Sequence, residues 1–343
     1  MRFLLFLAVL ALLAGGAAVI NLRSFNQFRS VESVPLPGCT PVKGIAGPED
    51  ISVDDKRGLA FISSLDRRDS AARGAIHLFD MDDPLASDGF RDRTMGAPQD
   101  FRPLGLDYYE HENVRRLFVV NEVGPSVEMF AVEDNGDLTH LETYAERRLT
   151  SPNSVAATGP RSFYVTNDVR PGRNARIANL HFLLRHGLGD IYHVDGDVWR
   201  HAAGGLRFAN GLALTPEGEK LYVAETAGMA VRVYDREAGA LRPAETIRIG
   251  ASPDNITIDQ DGNVWVGALP KPLKTPALKK NASAIAPSEV LLINKQGGAR
   301  TVYRNAGEEI SASTVAARAG DRLVLGALYE QKFLLCDLPK RIN

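Results

Sequence analysis

Four short loops of the chain place side-chain oxygen atoms directly before an aliphatic residue. The loops are Gly47-Pro48-Glu49-Asp50-Ile51, Ser151-Pro152-Asn153-Ser154-Val155, Phe208-Ala209-Asn210-Gly211-Leu212 and Ser252-Pro253-Asp254-Asn255-Ile256. Carboxylate and amide oxygens bind hard cations, and Ca²⁺ takes about six to eight of them in flexible geometry. Each loop alone is typical of an ordinary turn. The recurrence of the pattern, rather than any single loop, therefore indicates a shared ion site.

The candidate ligands of this site carry little total charge. They are Glu49, Asn153, Asn210, Asp254 and Asn255. Two of the five side chains are carboxylates, so their charge matches that of one divalent cation. An ion held in this way keeps much of its ability to polarise a carbonyl oxygen.

The elements that must bring these loops together are short strands. Beyond residue 45 the apolar runs contain four to seven residues and are separated by Gly, Asp, Asn and Pro. Representative runs lie at 59–62, 116–120, 162–165, 220–224, 263–266 and 322–325. Six units of about forty to sixty residues predict an all-β fold, a six-bladed β-propeller. Two sandwich domains are the alternative, but no linker interrupts the spacing. Because the innermost strand of each blade faces the central channel, the loops would converge on the axis.

The N-terminal residues 1–22 have the character of a signal anchor or a signal peptide. The eighteen residues 3–20 carry no charge, with Arg2 before them and Arg23 after them. This stretch is longer than the apolar core of most signal peptides and slightly shorter than a typical membrane span. Both interpretations predict export, with contact to a membrane through this segment. We expect a linker at 23–38 and the propeller at 39–343.

A different pattern occurs at 174–189, where apolar residues alternate with Arg and His. It predicts a short amphipathic helix on one face of the propeller, either packed over the blades or serving as a lid or membrane contact. His181 and His186 lie there, but a separation of five residues is poor for two ligands on one helical face. We expect both to be solvated.

Charge and cysteine content exclude several other classes of protein. The chain has 40 Lys and Arg residues against 42 Asp and Glu residues, without the basic excess that a nucleic-acid-binding protein usually shows. Its only cysteines, Cys39 and Cys336, cannot by themselves form a zinc ribbon or an iron–sulfur site. Export would make a disulfide between them chemically reasonable.

Several segments together resemble the serum paraoxonase/arylesterase family, which is related to the gluconolactonase-like calcium propellers. These segments are 36–50, 59–64, 208–211, 254–256 and 335–338. The resemblance implies a six-bladed calcium propeller that hydrolyses lactones and aryl esters, with the catalytic calcium held by the five candidate ligands named above. It also implies a Cys39–Cys336 disulfide that fastens the first and last strands within one blade.

The sequence departs from the family pattern at a second, structural calcium site. The family uses an aspartate that matches Asp50, a backbone carbonyl near Leu106, and a second aspartate that is Ser154 here. Losing this carboxylate argues against a second ion, so we expect one calcium.

The two histidines that are proposed to act as the catalytic base in the family are also missing. The matching positions hold Leu104 and Glu122, and two other pocket histidines are replaced by Met229 and Leu269. In a hydrolase we therefore expect a carboxylate to take over this role. Asp254, as base or nucleophile at the metal, is one candidate, and Glu122, directed at the attacking water, is the alternative.

Two classes of function follow from these observations. The first is a calcium-dependent hydrolase that acts on a small-molecule lactone or aryl ester, with Asp168 as a supporting residue near the site. The alternative is a calcium-binding propeller that has lost its base and serves as a binding or assembly module.

Overall fold

The computed structural model describes residues 2–83, 90, 92–237 and 240–338. The chain begins with α1 (Arg2–Ser24), a 23-residue helix with no buried residue. Among the described residues it is the one helix that is long and apolar enough to cross a membrane. Residues 339–343, at the end of the expected propeller, lie outside the described residues.

Most of the remaining described chain forms six small, mainly antiparallel sheets, and its first strand is β1 (Thr40–Lys43). Blade 1 contains β2 (Pro48–Asp54), β3 (Leu59–Ser64) and β4 (Ala75–Asp80). Blade 2 contains β5 (Thr94–Met95), β6 (Pro103–His111), β7 (Val114–Asn121), β8 (Ser126–Val132) and β9 (Leu138–Tyr144). Blade 3 contains β10 (Pro152–Gly159), β11 (Ser162–Asn167), β12 (Gly189–Asp195) and β13 (Val198–Leu206), with α2 (Ala178–Leu183) before β12.

The second half of the chain continues the same pattern. Blade 4 contains β14 (Ala209–Leu214), β15 (Lys220–Glu225), β16 (Ala230–Glu237) and β17 (Ala240–Arg248). Blade 5 contains β18 (Ser252–Ile258), β19 (Val264–Leu269), β20 (Ser288–Ile293) and β21 (Ala299–Asn305), with a 3₁₀ turn (Pro272–Lys274) and α3 (Thr275–Lys280) before β20. Blade 6 contains β22 (Ser313–Ala319), β23 (Arg322–Ala327) and β24 (Lys332–Asp337), with β1 as its fourth strand.

The innermost strands of neighbouring blades contact one another in a closed ring. These strands are β2, β6, β10, β14, β18 and β22. Hydrophobic clusters fill the spaces between successive sheets, as in the cluster of Phe118 and Val120 of blade 2 with Val155 and Phe163 of blade 3. The prediction of a six-bladed β-propeller is therefore confirmed.

The ring closes where the two ends of the propeller meet. Strand β1 pairs antiparallel with β24, with Thr40 opposite Leu335. A disulfide joins Cys39 to Cys336, across a sequence separation of 297 residues. The first and last strands therefore share blade 6, as expected from the family resemblance.

The helix expected within 174–189 is shorter than that range. It begins at Ala178 and ends at Leu183, and Arg185 then adopts a positive φ of 55°. A residue in this left-handed conformation ends a helix because it turns the backbone away from the helical path. His181 lies on α2 and His186 beyond it, and their Nδ1 atoms are 2.8 Å apart.

The segment expected to be a linker lies against the propeller. Phe25 is completely buried and stacks on Phe182, with a ring-centroid distance of 5.5 Å. Further along, Val34 and Arg304 exchange two backbone hydrogen bonds of 2.8 Å. These contacts fix the path of the chain between α1 and the first blade.

We expect the disulfide to contribute to stability through ring closure. A loop of 297 residues corresponds to roughly 5–6 kcal/mol in the chain-entropy model. The Cys39→Ser/Cys336→Ser double variant should therefore lower the melting temperature by roughly 5–15 °C. The measurement is a thermal melt of both proteins with and without reductant. Equal melting temperatures for the oxidised wild type and the double variant would contradict a stabilising bridge.

Candidate metal centre

The five candidate ligands all lie near the start of an innermost strand. They are Glu49 in β2, Asn153 in β10, Asn210 in β14, and Asp254 and Asn255 in β18. In each of these strands the pairing register shifts at the ligand: between Pro48 and Ile51, Pro152 and Val155, Ala209 and Leu212, and Pro253 and Ile256. Such a bulge turns side chains away from the regular alternation of a strand. All five side chains are buried.

Four buried oxygens in this group have no hydrogen-bond partner among the described residues. They are Glu49 Oε2, Asn153 Oδ1, Asn210 Oδ1 and Asn255 Oδ1. An unsatisfied buried acceptor costs about 1–3 kcal/mol, so four such acceptors are retained only where something compensates them. A hard cation would satisfy all four, and the residues present therefore fit such an ion.

The amide nitrogens explain how the oxygens are oriented. Asn210 Nδ2 donates to Asp254 Oδ1 at 2.6 Å. Asn255 Nδ2 donates to both the backbone oxygen and Oε1 of Glu49, each at 3.1 Å. These bonds connect blade 4 to blade 5 and blade 5 to blade 1. With the nitrogens engaged in this way, the amide oxygens are left free for a ligand.

The charges of the group also fit a cation. Burial raises the pKa of Glu49, although the Arg67 guanidinium opposes this effect. Burial and the neighbouring Glu49 charge raise the pKa of Asp254 to about 8. A cation would favour the ionised form of both carboxyl groups. The described residues contain no metal-binding group of three or more His, Cys, Asp or Glu, so the site depends on its amide oxygens.

Three threonines that the sequence reasoning missed hold the ligand loops in place. Thr166 donates to the backbone oxygen of Asn210 at 2.8 Å, and Thr314 donates to that of Glu49 at 2.7 Å. Thr226 donates to the backbone oxygen of Pro253 at 2.7 Å. Each bond runs from one blade to the ligand loop of the next. The sequence could have indicated Thr314, because Ser313-Thr314-Val315 repeats the pattern of the four loops, in which polar residues precede an aliphatic residue.

The buried Asp50 carboxylate is held by backbone N–H groups. Its two carboxylate oxygens accept hydrogen bonds from the backbone N–H groups of Ile51 and Leu106, both at 2.9 Å. Asp50 also lines a cavity of about 170 Å³ together with Asp107. Ser154 Oγ accepts from the N–H of Leu212 at 3.2 Å. The Asp50 and Ser154 oxygens, at the positions of the family's second ion site, therefore have partners within the protein.

Glu122 lies just beyond β7 and forms an ion pair. Arg173 Nη1 donates to Glu122 Oε1 at 3.2 Å, and Arg173 also bonds Asp168 Oδ2 from Nε and Nη2, at 2.9 and 2.7 Å. Burial opposes ionisation of Glu122, but the charges of Arg173 and Arg67 outweigh it and lower the pKa. Sequence reasoning missed both arginines. Asp168 is completely buried, and its ionic partner is Arg173.

The positions where the family carries histidines are apolar and enclosed. Leu104, Met229 and Leu269 are all buried. Leu269 packs with Leu278 and Tyr329, whereas Met229 packs with Phe25 near the end of α1. Apart from Glu122, these positions therefore provide no proton-accepting group.

Comparison with known proteins agrees with this architecture. A family model described as arylesterase matches residues 30–338. The chain belongs to the arylesterase family. It is 31% identical to serum paraoxonase/arylesterase 1 of Rattus norvegicus over 91% of this chain and 92% of that protein. This membership makes it a hydrolase of the esterase and lactonase type.

Solved structures support the fold of this chain. A gluconolactonase from Xanthomonas campestris superposes with a TM-score of 0.58 at 15% identity, covering 91% of this chain and 99% of the other. Regucalcin from Agrobacterium tumefaciens, described as a calcium-binding protein, gives a TM-score of 0.54 at 15% identity, covering 90% of this chain and 98% of the other.

Close approach of neighbouring inner strands provides a test of the centre's geometry. A Cβ atom added to Gly211 would lie 2.5 Å from the backbone oxygen of Asp254. Gly211→Ala should therefore displace β18 and lower both the melting temperature and the hydrolytic activity. Gly159→Ala is the control, because its Cβ would approach only the Ser162 side chain, at 3.3 Å. Equal effects of the two substitutions in thermal melts and activity assays would contradict this packing.

Proposed function

We propose that this chain is a calcium-dependent hydrolase of lactones and aryl esters. The observation that carries this proposal is the group of four buried, unpartnered oxygens at the starts of the innermost strands, one from the Glu49 carboxylate, with the buried Asp254 carboxylate beside them. Carboxylate and amide oxygens in this number suit Ca²⁺ better than a softer metal. The names of the similar proteins, paraoxonase/arylesterase, gluconolactonase and calcium-binding regucalcin, support the same assignment.

Glu49, Asn153, Asn210, Asp254 and Asn255 would hold the ion. When bound, Ca²⁺ would polarise the substrate carbonyl and stabilise the negative charge that develops on its oxygen. The protein's own contribution is to fix these oxygens through the Asn210–Asp254 and Asn255–Glu49 hydrogen bonds. Burial of the group excludes competing water. We propose a single ion, because Asp50 and Ser154 are engaged with backbone N–H groups.

Asp254 is our candidate for the residue that assists the attacking water. Its Oδ1 accepts from Asn210, which leaves Oδ2 to take a proton. The water oxygen would bond to the carbonyl carbon while its proton passes to Asp254 Oδ2. The bond from that carbon to the leaving oxygen then breaks, and the proton passes to this oxygen. The products are an acid and an alcohol, joined in one molecule when the substrate is a lactone.

Glu122 is the second candidate for this role. Its lowered pKa and its ion pair with Arg173 make it a weaker proton acceptor. The Glu122–Arg173 ion pair also favours the alternative function, a calcium-binding propeller without catalysis. The buried Leu104, Met229 and Leu269 supply no other base at the positions where the family has histidines.

We also propose that the protein is exported. The apolar helix α1 has no buried residue, and the Cys39–Cys336 disulfide is compatible with an oxidising compartment. If α1 is retained, it anchors the propeller to a membrane. If it is cleaved, the propeller is released as a secreted or periplasmic enzyme.

Removing a ligand should weaken calcium binding and activity together. We expect Asn210→Ala and Asp254→Ala to lower calcium affinity by more than about 10-fold, since even supporting residues of metal sites contribute that much. Asn305→Ala is the control, because this buried asparagine of β21 bonds the nearby Gly307 N–H. Affinity is measured by calorimetry after chelation, and activity with an aryl ester and a γ-lactone. Unchanged calcium affinity in both ligand variants would show that the ligand set is wrong.

The choice of base is tested at saturating calcium. Asp254→Asn should lower kcat by about 10²-fold or more, the usual contribution of a general base, whereas Glu122→Gln should lower it by less than about 10-fold. Calorimetry on both variants verifies that calcium is bound. The reverse order of effects would assign the base to Glu122. A wild type with bound calcium and no turnover on any ester or lactone would favour the non-catalytic propeller.

A further inference from the structure

Arg67 is a buried arginine whose guanidinium bonds only main-chain oxygens. Its residue exposure is 8%. Nη2 donates to the backbone oxygen of Pro103 at 2.8 Å, and Nη1 donates to that of Gly47 at 3.4 Å. Within the described part of the chain, no carboxylate oxygen lies within ion-pair distance of Arg67. These two bonds use two of the five N–H donors of the side chain.

Two partly buried arginines of the propeller, unlike Arg67, have carboxylate partners. Arg173 pairs with Asp168 and Glu122, and Arg304 pairs with Glu289. Burying a charge without a partner is costly, and burial accordingly lowers the pKa of Arg67. A buried guanidinium with free donors is therefore suited to an anion that arrives from outside the protein.

Arg67 stands beside the candidate metal centre. One of its acceptors, Gly47, is two residues from Glu49, and the charges of Glu49 and Glu122 favour protonation of the guanidinium. These carboxylates have other partners, because a calcium ion would balance Glu49 while Arg173 holds Glu122. One positive charge beside the metal centre is then left without a direct counter-charge.

The chemistry of this group specifies the kind of anion. A guanidinium presents its N–H groups in a planar fork that matches the two oxygens of a carboxylate. A singly charged carboxylate balances one positive charge, whereas a dianionic phosphate would be repelled by the nearby Glu49 and Glu122. Tyr329 is influenced by the charge of Arg67 and packs with Leu269, so an apolar surface lies close by.

We propose that Arg67 binds a carboxylate carried by the substrate, so that the preferred substrates are lactones or aryl esters with an anionic carboxylate near the reacting carbonyl. This assignment rests on the proposed hydrolase function. It makes Arg67 a specificity-determining residue that contacts the substrate away from the bond that is cleaved.

The test compares two substrates that differ only in charge. A γ-lactone bearing a carboxylate and the same lactone bearing a carboxamide are hydrolysed by the calcium-loaded, full-length protein. The wild type should prefer the carboxylate in kcat/KM by about 10- to 100-fold, the effect expected for a charge-assisted hydrogen bond, chiefly through KM. Arg67→Gln should abolish this preference, and Arg67→Lys should retain part of it.

Arg236→Gln is the matched control. Arg236 is half-buried and also bonds a backbone oxygen, that of Gly218 at 3.2 Å, but it lies on β16. This variant loses the same charge and should keep the substrate preference. Circular dichroism and thermal melts establish that all variants are folded, and Arg67→Lys supplies the comparison if Arg67→Gln does not fold.

Binding of the carboxylate is measured separately from turnover. Calorimetry with the hydrolysed form of the carboxylate lactone should give an affinity at least about 10-fold weaker for Arg67→Gln than for the wild type. Equal affinities, or a wild type that treats both lactones alike, would overturn the proposal. If the wild type hydrolyses neither these lactones nor an aryl ester, the hydrolase function fails, and the calorimetry alone decides whether Arg67 binds a carboxylate.

Discussion

The architecture of this propeller depends on burying oxygen atoms that the protein itself does not satisfy. Glu49, Asn153, Asn210 and Asn255 each direct a side-chain oxygen to a place where it finds no donor among the described residues. This arrangement costs free energy in the absence of a ligand. It persists because the surrounding elements leave the side chains little freedom. The bulges at the strand starts set their direction, and threonine hydroxyls from neighbouring blades hold the loops.

Closure of the ring is part of the same constraint. Glu49 belongs to the first blade, yet it is held by Asn255 from blade 5 and Thr314 from blade 6. These contacts form only when the end of the chain returns to its beginning. The β1–β24 pairing and the Cys39–Cys336 disulfide therefore do more than stabilise the fold. They keep Glu49 in position relative to the other ligands. The stability of the fold and the ability of the centre to bind an ion are therefore linked.

Much of this could be predicted from the sequence, because the repeating units and the four loops are local patterns. The blade count agrees with the structure, as does the Cys39–Cys336 disulfide that the family resemblance implied. Other features depend on distant contacts that no local pattern encodes. Arg173 pairs with Glu122, which lies 51 positions away in the sequence. This ion pair depends on the path of the segment that carries Arg173. The short length of α2 depends on the backbone conformation at Arg185.

The most direct measurement of the central claim is a crystal structure of the protein grown with calcium. We expect one ion on the propeller axis, bonded at about 2.3–2.6 Å to Glu49 Oε2, Asn153 Oδ1, Asn210 Oδ1 and Asn255 Oδ1, with Asp254 completing the protein ligands. Calcium bound elsewhere, or an axis where these four oxygens accept hydrogen bonds from water alone, would contradict the account.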